Sequence, residues 1–322
     1  MKVLITGGAG YIGSVLSETL LNNGYVVTVL DKLIFNQLTP INFASNPNFN
    51  FIYGDVLDDD LLKSLVVQAD IIIPLAAIVG FPACKANPML AEQVNYIQIK
   101  NIVDWIKGTD KKVLYPNTNS GYGLGQGDIY CNEESPLTPI SVYGETKVNA
   151  EKYIQNNSDG ICFRLATVFG TSPRMRTDLL VNDFVYKAIT DKYIVVFEKT
   201  FKRNFIHVKD VASVFLFMIE NYNTYKGEVF NVGLSDANLS KEELLNKIKT
   251  YVEDLVVVYS DYYEDPDKRN YIVSNVKVEN TGWNPEHSID FGIEELIRGY
   301  KVIVPLLGNQ FRNGLPLGYT NI

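Results

Sequence analysis

The run Lys2-Val-Leu-Ile-Thr-Gly-Gly-Ala-Gly-Tyr-Ile-Gly13, an apolar helical stretch after it, and Val26-Val-Thr-Val-Leu-Asp31 read as strand, glycine turn, helix and second strand. Val3, Leu4 and Ile5 form the buried strand. Gly7 and Gly10 let the main chain turn tightly against a pyrophosphate. Gly13 lets the next helix pack on the sheet with its first residues, Tyr11 and Ile12, aimed at the phosphates. Asp31 ends the second strand, where a carboxylate accepts hydrogen bonds from an adenosine ribose and repels a 2′-phosphate. The pattern points to NAD rather than NADP. Gly8, Gly10 and Gly13 also satisfy the shorter G-x-G-x-x-G spacing, which flavoproteins and non-enzymatic sensors share. The strand before, the helix after and the acid at the right distance favour a dinucleotide over a structural turn.

The alternation continues. Candidate strands are Lys2 to Thr6, Val26 to Asp31, Asn50 to Tyr53, Ile71 to Leu75, Lys112 to Tyr115 and Ile161 to Leu165, with helices between them. Short, nearly continuous apolar runs suit parallel strands covered on both faces, so the expected fold is α/β, a doubly wound parallel (Rossmann) sheet. Pro74 and Pro116 each remove a ladder donor; they are expected at the last residues of their strands, bordering the cofactor crevice. After about residue 170 the alternation breaks up. A helix is expected from Leu179 to Asp191, apolar periodicity resumes over Phe205 to Asn221, and Ser240 with Glu243 forms a capping box. The last twenty residues carry Pro305, Gly308, Gly314, Pro316 and Gly318 and are expected to be irregular. The expected organisation is an NAD-binding domain over 1–171, to which 204–233 returns, and a smaller C-terminal α+β substrate region over 172–203 and 234–322.

Composition narrows the function classes. A net charge of −8, with no Lys/Arg-rich tract, argues against nucleic acid as a partner. No apolar run reaches membrane-spanning length, and the first strand begins at residue 2, so a cytoplasmic protein is expected. Cys84, Cys131 and Cys162 are widely spaced and read as reduced thiols. With only His207 and His287, no metal site is expected, and His207 reads as a packed core residue.

Tyr-x-x-x-Lys places a phenol and an ammonium one turn apart on a helix. A nearby Lys⁺ and an oxidised nicotinamide both favour phenolate, which can take a hydroxyl proton as hydride leaves the same carbon. Tyr96/Lys100, Tyr143/Lys147 and Tyr222/Lys226 all have the spacing. Only Tyr143 follows the fifth strand and its terminal hydroxyl cluster Asn117-Thr118-Asn119-Ser120. The other two pairs read as solvated surface.

Gly7-x-x-Gly10-x-x-Gly13, Leu75-Ala76-Ala77, Asn95, Thr118 ahead of Tyr122-Gly123, and Tyr143-Gly144-x-x-Lys147 together resemble the extended short-chain dehydrogenase/reductase family of nucleotide-sugar enzymes. The resemblance implies that Gly54-Asp55-Val56 holds adenine and that Leu75, Ala76, Ala77 and Asn95 line the cofactor. It makes Tyr143 the base, Lys147 the nicotinamide-ribose partner, and Thr118 the hydroxyl that orients the reacting sugar oxygen, with Ser120 a rival. Arg203-x-Phe205-Ile-His207-Val-x-Asp210 and Asp267-x-Arg269-x-Tyr271 resemble the family's two diphosphate-binding elements, whose guanidinium forks suit a diphosphate. Asn182 matches a substrate-contacting asparagine. A homodimer through Ala91 to Ile106 and Tyr143 to Gln155 is also implied.

Departures from the family narrow the reaction. In its 4,6-dehydratases the hydroxyl residue is followed by Asp-Glu; here Asn119-Ser120 cannot ionise, which disfavours dehydration. Thr167 stands where the family has asparagine in an Arg-x-x-Asn-Val-x-Gly run. The loop Ile78-Val-Gly-Phe-Pro-Ala-Cys84, with Val79 and Gly80 as candidate substrate contacts, differs from common hexose epimerases. Ile71-Ile-Ile-Pro-Leu-Ala-Ala77, Tyr115-Pro-Asn-Thr-Asn-Ser-Gly-Tyr-Gly123 and Arg164-Leu-Ala-Thr-Val-Phe-Gly-Thr-Ser-Pro-Arg-Met-Arg176 resemble GDP-heptose 4-dehydrogenases of capsule biosynthesis. That implies NAD-dependent oxidation of the C4 hydroxyl of a GDP-manno-heptose, with Arg174 and Arg176 facing the substrate or capping a loop. A 4-epimerase, using the same catalytic residues, and a catalytically silent NAD-binding sensor stay open.

Overall fold

Successive residues of β1 (Lys2–Thr6) serve opposite sides of the molecule: Val3 and Ile5 join one buried layer and Leu4 the other. Ile71 and Ile73 part from Ile72 in the same way, and Leu114 from Val113 and Tyr115. A strand covered on both faces needs an apolar side chain at every position, which is why these segments read as unbroken hydrophobic runs. The computed structural model describes residues 1–125, 129–260, 262 and 269–304; Asp267 and the Pro/Gly-rich end of the chain lie outside them.

After β1 come α1 (Tyr11–Asn22), β2 (Val26–Asp31), β3 (Phe49–Tyr53), α2 (Asp59–Gln68), β4 (Ile71–Pro74), α3 (Phe81–Ala86), α4 (Pro88–Glu92) and α5 (Gln98–Ile106). Next are β5 (Lys112–Thr118), β6 (Tyr130–Cys131), α6 (Val142–Asn157), β7 (Ile161–Leu165), β8 (Thr167–Phe169), α7 (Leu180–Thr190), β9 (Tyr193–Val196) and β10 (Lys202–His207). The described chain continues through α8 (Val208–Glu220), α9 (Tyr222–Tyr225), β11 (Val229–Val232), β12 (Asn238–Ser240), α10 (Lys241–Lys249), β13 (Val256–Tyr259), β14 (Ile272–Val273), α11 (Val276–Glu279) and α12 (Ile289–Ile303). Seven of these strands form one parallel sheet in the order β11-β7-β5-β4-β1-β2-β3. The winding reverses between β1 and β4, and a doubly wound sheet takes its ligand beyond the strand ends at that point. A smaller sheet, β12-β10-β8, continues from β7, while α8 packs against α1 and β11 adds to the main sheet beside β7.

Two local expectations change. β5 runs past Tyr115 to Thr118, so Pro116 lies inside a strand rather than at its end. It is tolerated because β5 pairs with β4 only through Lys112 and Val113, leaving no ladder on that edge for a missing donor to break. Tyr222 is not surface: it is 6% exposed, and its hydroxyl accepts from Val113 N and donates to Asp159 O, tying the end of α8 to the sheet. Its partner in spacing, Lys226, does face solvent and pairs with Asp159. The capping box forms as expected, Ser240 and Glu243 exchanging side-chain and backbone bonds at the start of α10.

The polar content of the core is concentrated under the strand ends. Glu151 of α6 takes a two-pronged contact from Arg164 of β7, Nη2 at 2.7 Å and Nε at 3.2 Å, and a bond from Asn117 Nδ2 of β5 at 2.5 Å. Arg164 Nη1 also donates to the Tyr122 hydroxyl and to Glu133 O, both at 2.9 Å. Burial lowers the Arg164 pKa, but the bond to Glu151 and its charge outweigh that and hold it above the ordinary arginine value. Both side chains are at most 6% exposed, so removing one partner strands the other charge in a dry interior. Arg164→Met is expected to cost about 3–5 kcal/mol in chemical denaturation, and Arg164→Met with Glu151→Leu to recover most of it.

Candidate active site

Gly7 has φ +72°, and a Cβ there would stand 2.7 Å from Ala76 N; a Cβ on Gly13 would meet Gly7 O at 2.5 Å. The turn after β1 thus closes directly on the loop after β4 and on the first turn of α1, a cradle that any side chain would fill. Gly7, Gly10, Tyr11, Ile12 and Gly13 line one end of a cavity of about 860 Å³, and Leu75, Ala76 and Ala77 line it from the β4 side. A backbone cradle without side chains fits a pyrophosphate.

Asp31 and the pair Asp55 and Val56 border the same end. The Asp31 carboxylate accepts from Ala9 N at 3.0 Å, Leu33 N at 2.8 Å and Gln37 Nε2 at 3.3 Å. Burial raises its pKa; the two backbone bonds and Arg174 act against that. Asp55 is paired with Lys32 at 2.8 Å. Asn95 does not line the cavity. It sits on a π-helical turn, Gln93–Ile97, and its amide accepts from Ile78 N at 2.8 Å and donates to Ile78 O at 3.0 Å. Its work is to pin the backbone of the loop that carries Ile78, Val79 and Gly80, which do border the cavity.

Thr118, Tyr143 and Lys147 all border this cavity. Ser141 caps α6 by accepting from Gly144 N at 3.2 Å, which fixes the first turn and with it Tyr143. Thr118 Oγ1 accepts from Ser120 N at 3.1 Å and donates to Ser120 Oγ at 2.9 Å; Ser120 Oγ is also contacted by Arg269 Nη1. Lys147 is not among the main charges acting on the phenol. Burial pushes the Tyr143 phenol up to about 12, with Cys84 acting in the same direction, and the cations that pull it down are Arg269 and Arg176. Lys147 is 4% exposed, its Nζ lies 4.2 Å from the Tyr115 ring centre, and burial lowers its pKa to about 7. Loss of water weakens the ammonium form and brings its titration into the neutral range.

Of the substrate candidates, Val79, Gly80, Ser120, Thr167, Arg203 and Arg269 border the cavity. Asn119 does not: it opens the tight turn Asn119–Tyr122 and is 1% exposed, turned into the protein behind Ser120. Asn182 is also outside, fully buried; it accepts from Gly170 N at 3.1 Å and donates to Arg176 O at 2.8 Å, fixing the segment after β8 on α7. Arg174 borders the cavity at the cofactor end instead of the substrate end. Its guanidinium lies 4.5 Å from the centre of the Phe35 ring and within electrostatic reach of Asp31. Arg176 forms a two-pronged pair with Asp178, the shorter contact at 2.7 Å. His207 is fully buried, hydrogen-bonded to Glu295 at 2.9 Å and stacked on His287, away from the cavity.

Sequence reasoning missed Phe35 and Gln37 at the adenosine end, and Asp183 and Lys241 at the far end. Phe35 follows Asp31 in a loop with positive φ at Leu33 and Asn36, a path that no residue pattern announces. Among the described residues no cluster of His, Cys, Asp and Glu could hold a metal ion, and no helix is long and apolar enough to cross a membrane.

Residues 3–233 match the NAD dependent epimerase/dehydratase family. The chain is 26% identical over 308 residues to a putative UDP-glucose 4-epimerase of Methanocaldococcus jannaschii, covering 93% of this chain and 98% of that one. It is 27% identical to a dTDP-D-glucose 4,6-dehydratase of Mus musculus, covering 93% and 88%. The crystal structure of UDP-glucuronic acid 4-epimerase from Bacillus cereus in complex with UDP-glucuronic acid and NAD has the same fold, with a TM-score of 0.82 and 24% identity over 94% of this chain and all of that one. The match over most of the chain, with a glycine cradle, an acid at the second strand end and a Tyr-x-x-x-Lys helix facing one cavity, places this protein in the NAD-dependent epimerase/dehydratase family.

Proposed function

We propose that the protein oxidises the C4 hydroxyl of a nucleotide sugar, most specifically a GDP-manno-heptose, to the 4-keto form. The observation that carries the reading is the convergence of Thr118, Tyr143 and Lys147 on the cavity that the glycine cradle opens, with the non-ionising Ser120 where elimination of water would need an acid. NAD, which the glycine cradle and Asp31 would hold, would supply the hydride acceptor. Burial pushes the Tyr143 phenol up to about 12 against the pull of Arg269 and Arg176, and a cationic oxidised nicotinamide beside it would favour the phenolate that takes the hydroxyl proton. Thr118 has its backbone-side lone pair engaged by Ser120 N, and its hydroxyl proton turns from Ser120 to the sugar oxygen. Lys147, bordering the cavity, would hold the ribose hydroxyls of the cofactor. Residues 1–171 with 204–233 hold the cofactor in this scheme, and 172–203 with 234–322 the nucleotide sugar. We assign a homodimer to the α5 and α6 face that carries Lys100, Asp104 and Tyr153.

A 4-epimerase is the second reading, favoured by the likeness to the archaeal relative. It shares every step up to the ketone and then returns the hydride to the other face. Product mass separates the two. Incubation of the NAD-loaded protein with a GDP-heptose is expected to give a product lighter by two hydrogens and a stoichiometric rise in reduced nicotinamide. Unchanged mass with an inverted carbon establishes the epimerase instead.

Two substitutions test the roles. Tyr143→Phe is expected to retain NAD and lower kcat by about a hundredfold or more, within the range for loss of a general base; a smaller loss removes Tyr143 from that role. For Lys147 the sign is set by its depressed pKa. The unfolded chain keeps the lysine proton up to its ordinary value of 10.5 while the folded protein sheds it near about 7, so stability rises with pH between them. Lys147→Met is therefore expected to raise the unfolding temperature of the cofactor-free protein by about 2 °C or more at about pH 6, with the gain shrinking towards about pH 10, while turnover falls.

A further inference from the structure

Ser120 stands two residues beyond Thr118, in the tight turn Asn119–Tyr122 that closes β5, and both residues border the cavity. Thr118 Oγ1 accepts from Ser120 N at 3.1 Å and donates to Ser120 Oγ at 2.9 Å, and Arg269 Nη1 donates to that same serine oxygen. A hydroxyl has one proton and two lone pairs. Both lone pairs of Ser120 are therefore taken, by Thr118 and by Arg269, and its own proton is left to turn. Arg269 is brought there by its neighbour Asn270, whose carbonyl accepts from Gly125 N at 2.8 Å and whose side chain accepts from Lys202 N at 2.9 Å. The guanidinium so placed is also the leading cation acting on the Tyr143 phenol, so its charge is felt at the end of the cavity where Thr118 and Tyr143 lie.

We propose that Ser120 and Arg269 are positioning residues that form, with Thr118, a reversible hydroxyl relay aimed at the reacting sugar oxygen, an inference that rests on the nucleotide-sugar reading of this cavity. When the Thr118 proton turns to the sugar, a lone pair of Thr118 faces Ser120 across the same 2.9 Å, and the Ser120 proton turns to fill it. Each group then donates to the next, from Arg269 to Ser120, to Thr118, to the sugar oxygen. No proton changes owner; two O–H bonds rotate. A cation at the head of such a chain polarises every bond along it, and the last bond strengthens as negative charge grows on the oxygen that Tyr143 deprotonates. The relay needs a side chain at position 120 that both gives and takes a hydrogen bond. A carboxylate there only accepts, so it would hold the Thr118 proton and Arg269 at once, and Thr118 could turn to the sugar only by breaking a charged bond. The neutral serine leaves Thr118 free to turn.

The test is a mutant cycle on the NAD-loaded protein with Thr118→Val, Ser120→Ala and the pair, using GDP-mannoheptose, with UDP-glucose in parallel so that the cycle does not depend on the nucleobase. Ser120→Ala is expected to lower kcat about tenfold with KM within about twofold, because the lost bond counts most in the transition state. In the Thr118→Val protein the same change is expected to cost less than about twofold more, since the relay has nothing to act through once Thr118 lacks its hydroxyl. Losses that multiply overturn the relay and make Ser120 an independent contact. Arg269→Met is expected to lower kcat about fivefold more in the unaltered protein than in Ser120→Ala. An equal loss in both overturns the proposal, as does weaker nucleotide binding with unchanged kcat, the signature of a clamp on the phosphates alone. Calorimetric binding of GDP and UDP reports that each variant is folded. The extra affinity of each sugar nucleotide over its bare diphosphate repeats the Thr118/Ser120 cycle without turnover, with the same non-additivity expected on a smaller loss. Non-additive binding in a protein that reduces no NAD keeps the relay and loses the dehydrogenase reading. Reduction of NAD with independent losses does the reverse.

Discussion

The contact between Glu151 and Arg164 sets the geometry above it. Glu151 is one turn beyond Lys147 on α6, Arg164 is on β7, and Asn117, the third member, immediately precedes Thr118 on β5. One carboxylate therefore fixes the helix that bears the phenol and the lysine against the strand that bears the threonine. Arg164 reaches further, through the Tyr122 hydroxyl to Asn231 of β11, so the tight turn after Thr118 is held by the same group. Dispersion alone positions apolar residues to within a rotamer; charged hydrogen bonds with direction fix which rotamer and which register.

Above that network burial and charge compete, and burial dominates. Both Tyr143 and Lys147 are driven towards their neutral forms by loss of water, the phenol upward and the amine downward. The cations that favour phenolate, Arg269 and Arg176, come from segments outside the Rossmann strands. Arg269 also touches Ser120, close to Thr118, so the C-terminal segment is electrically joined to the cavity wall at the end of β5.

Much of this was legible in the sequence. Six of the seven main-sheet strands were, because a strand buried on both faces must be apolar throughout, whereas β11 was not among those expected; the cradle was, because Gly7 and Gly13 sit where a methyl group collides with backbone. The Tyr143 pair was separable from its two rivals by position along the chain. Asn95, Asn119 and Asn182 were not legible. An asparagine signals that an amide is needed, not whether it serves a ligand or the backbone, and these three are turned into the protein to fasten or fill loops. Tyr222 was misplaced because a tyrosine beside helix-ending residues looks solvated until the strand it bonds is known.

The sequence by itself determined the doubly wound sheet, the dinucleotide cradle and which tyrosine lies at the sheet's ligand-binding end, since each depends on local periodicity or on a residue type that alone tolerates a given backbone. Only the tertiary structure decided that Arg174 stacks on Phe35 at the cofactor end, that Lys147 is stripped of water, and that Asp183 borders the cavity. Those facts are set by contacts between residues far apart in the chain and by the loss of solvent around them. Neither long-range contact nor burial has a spacing that a sequence can display.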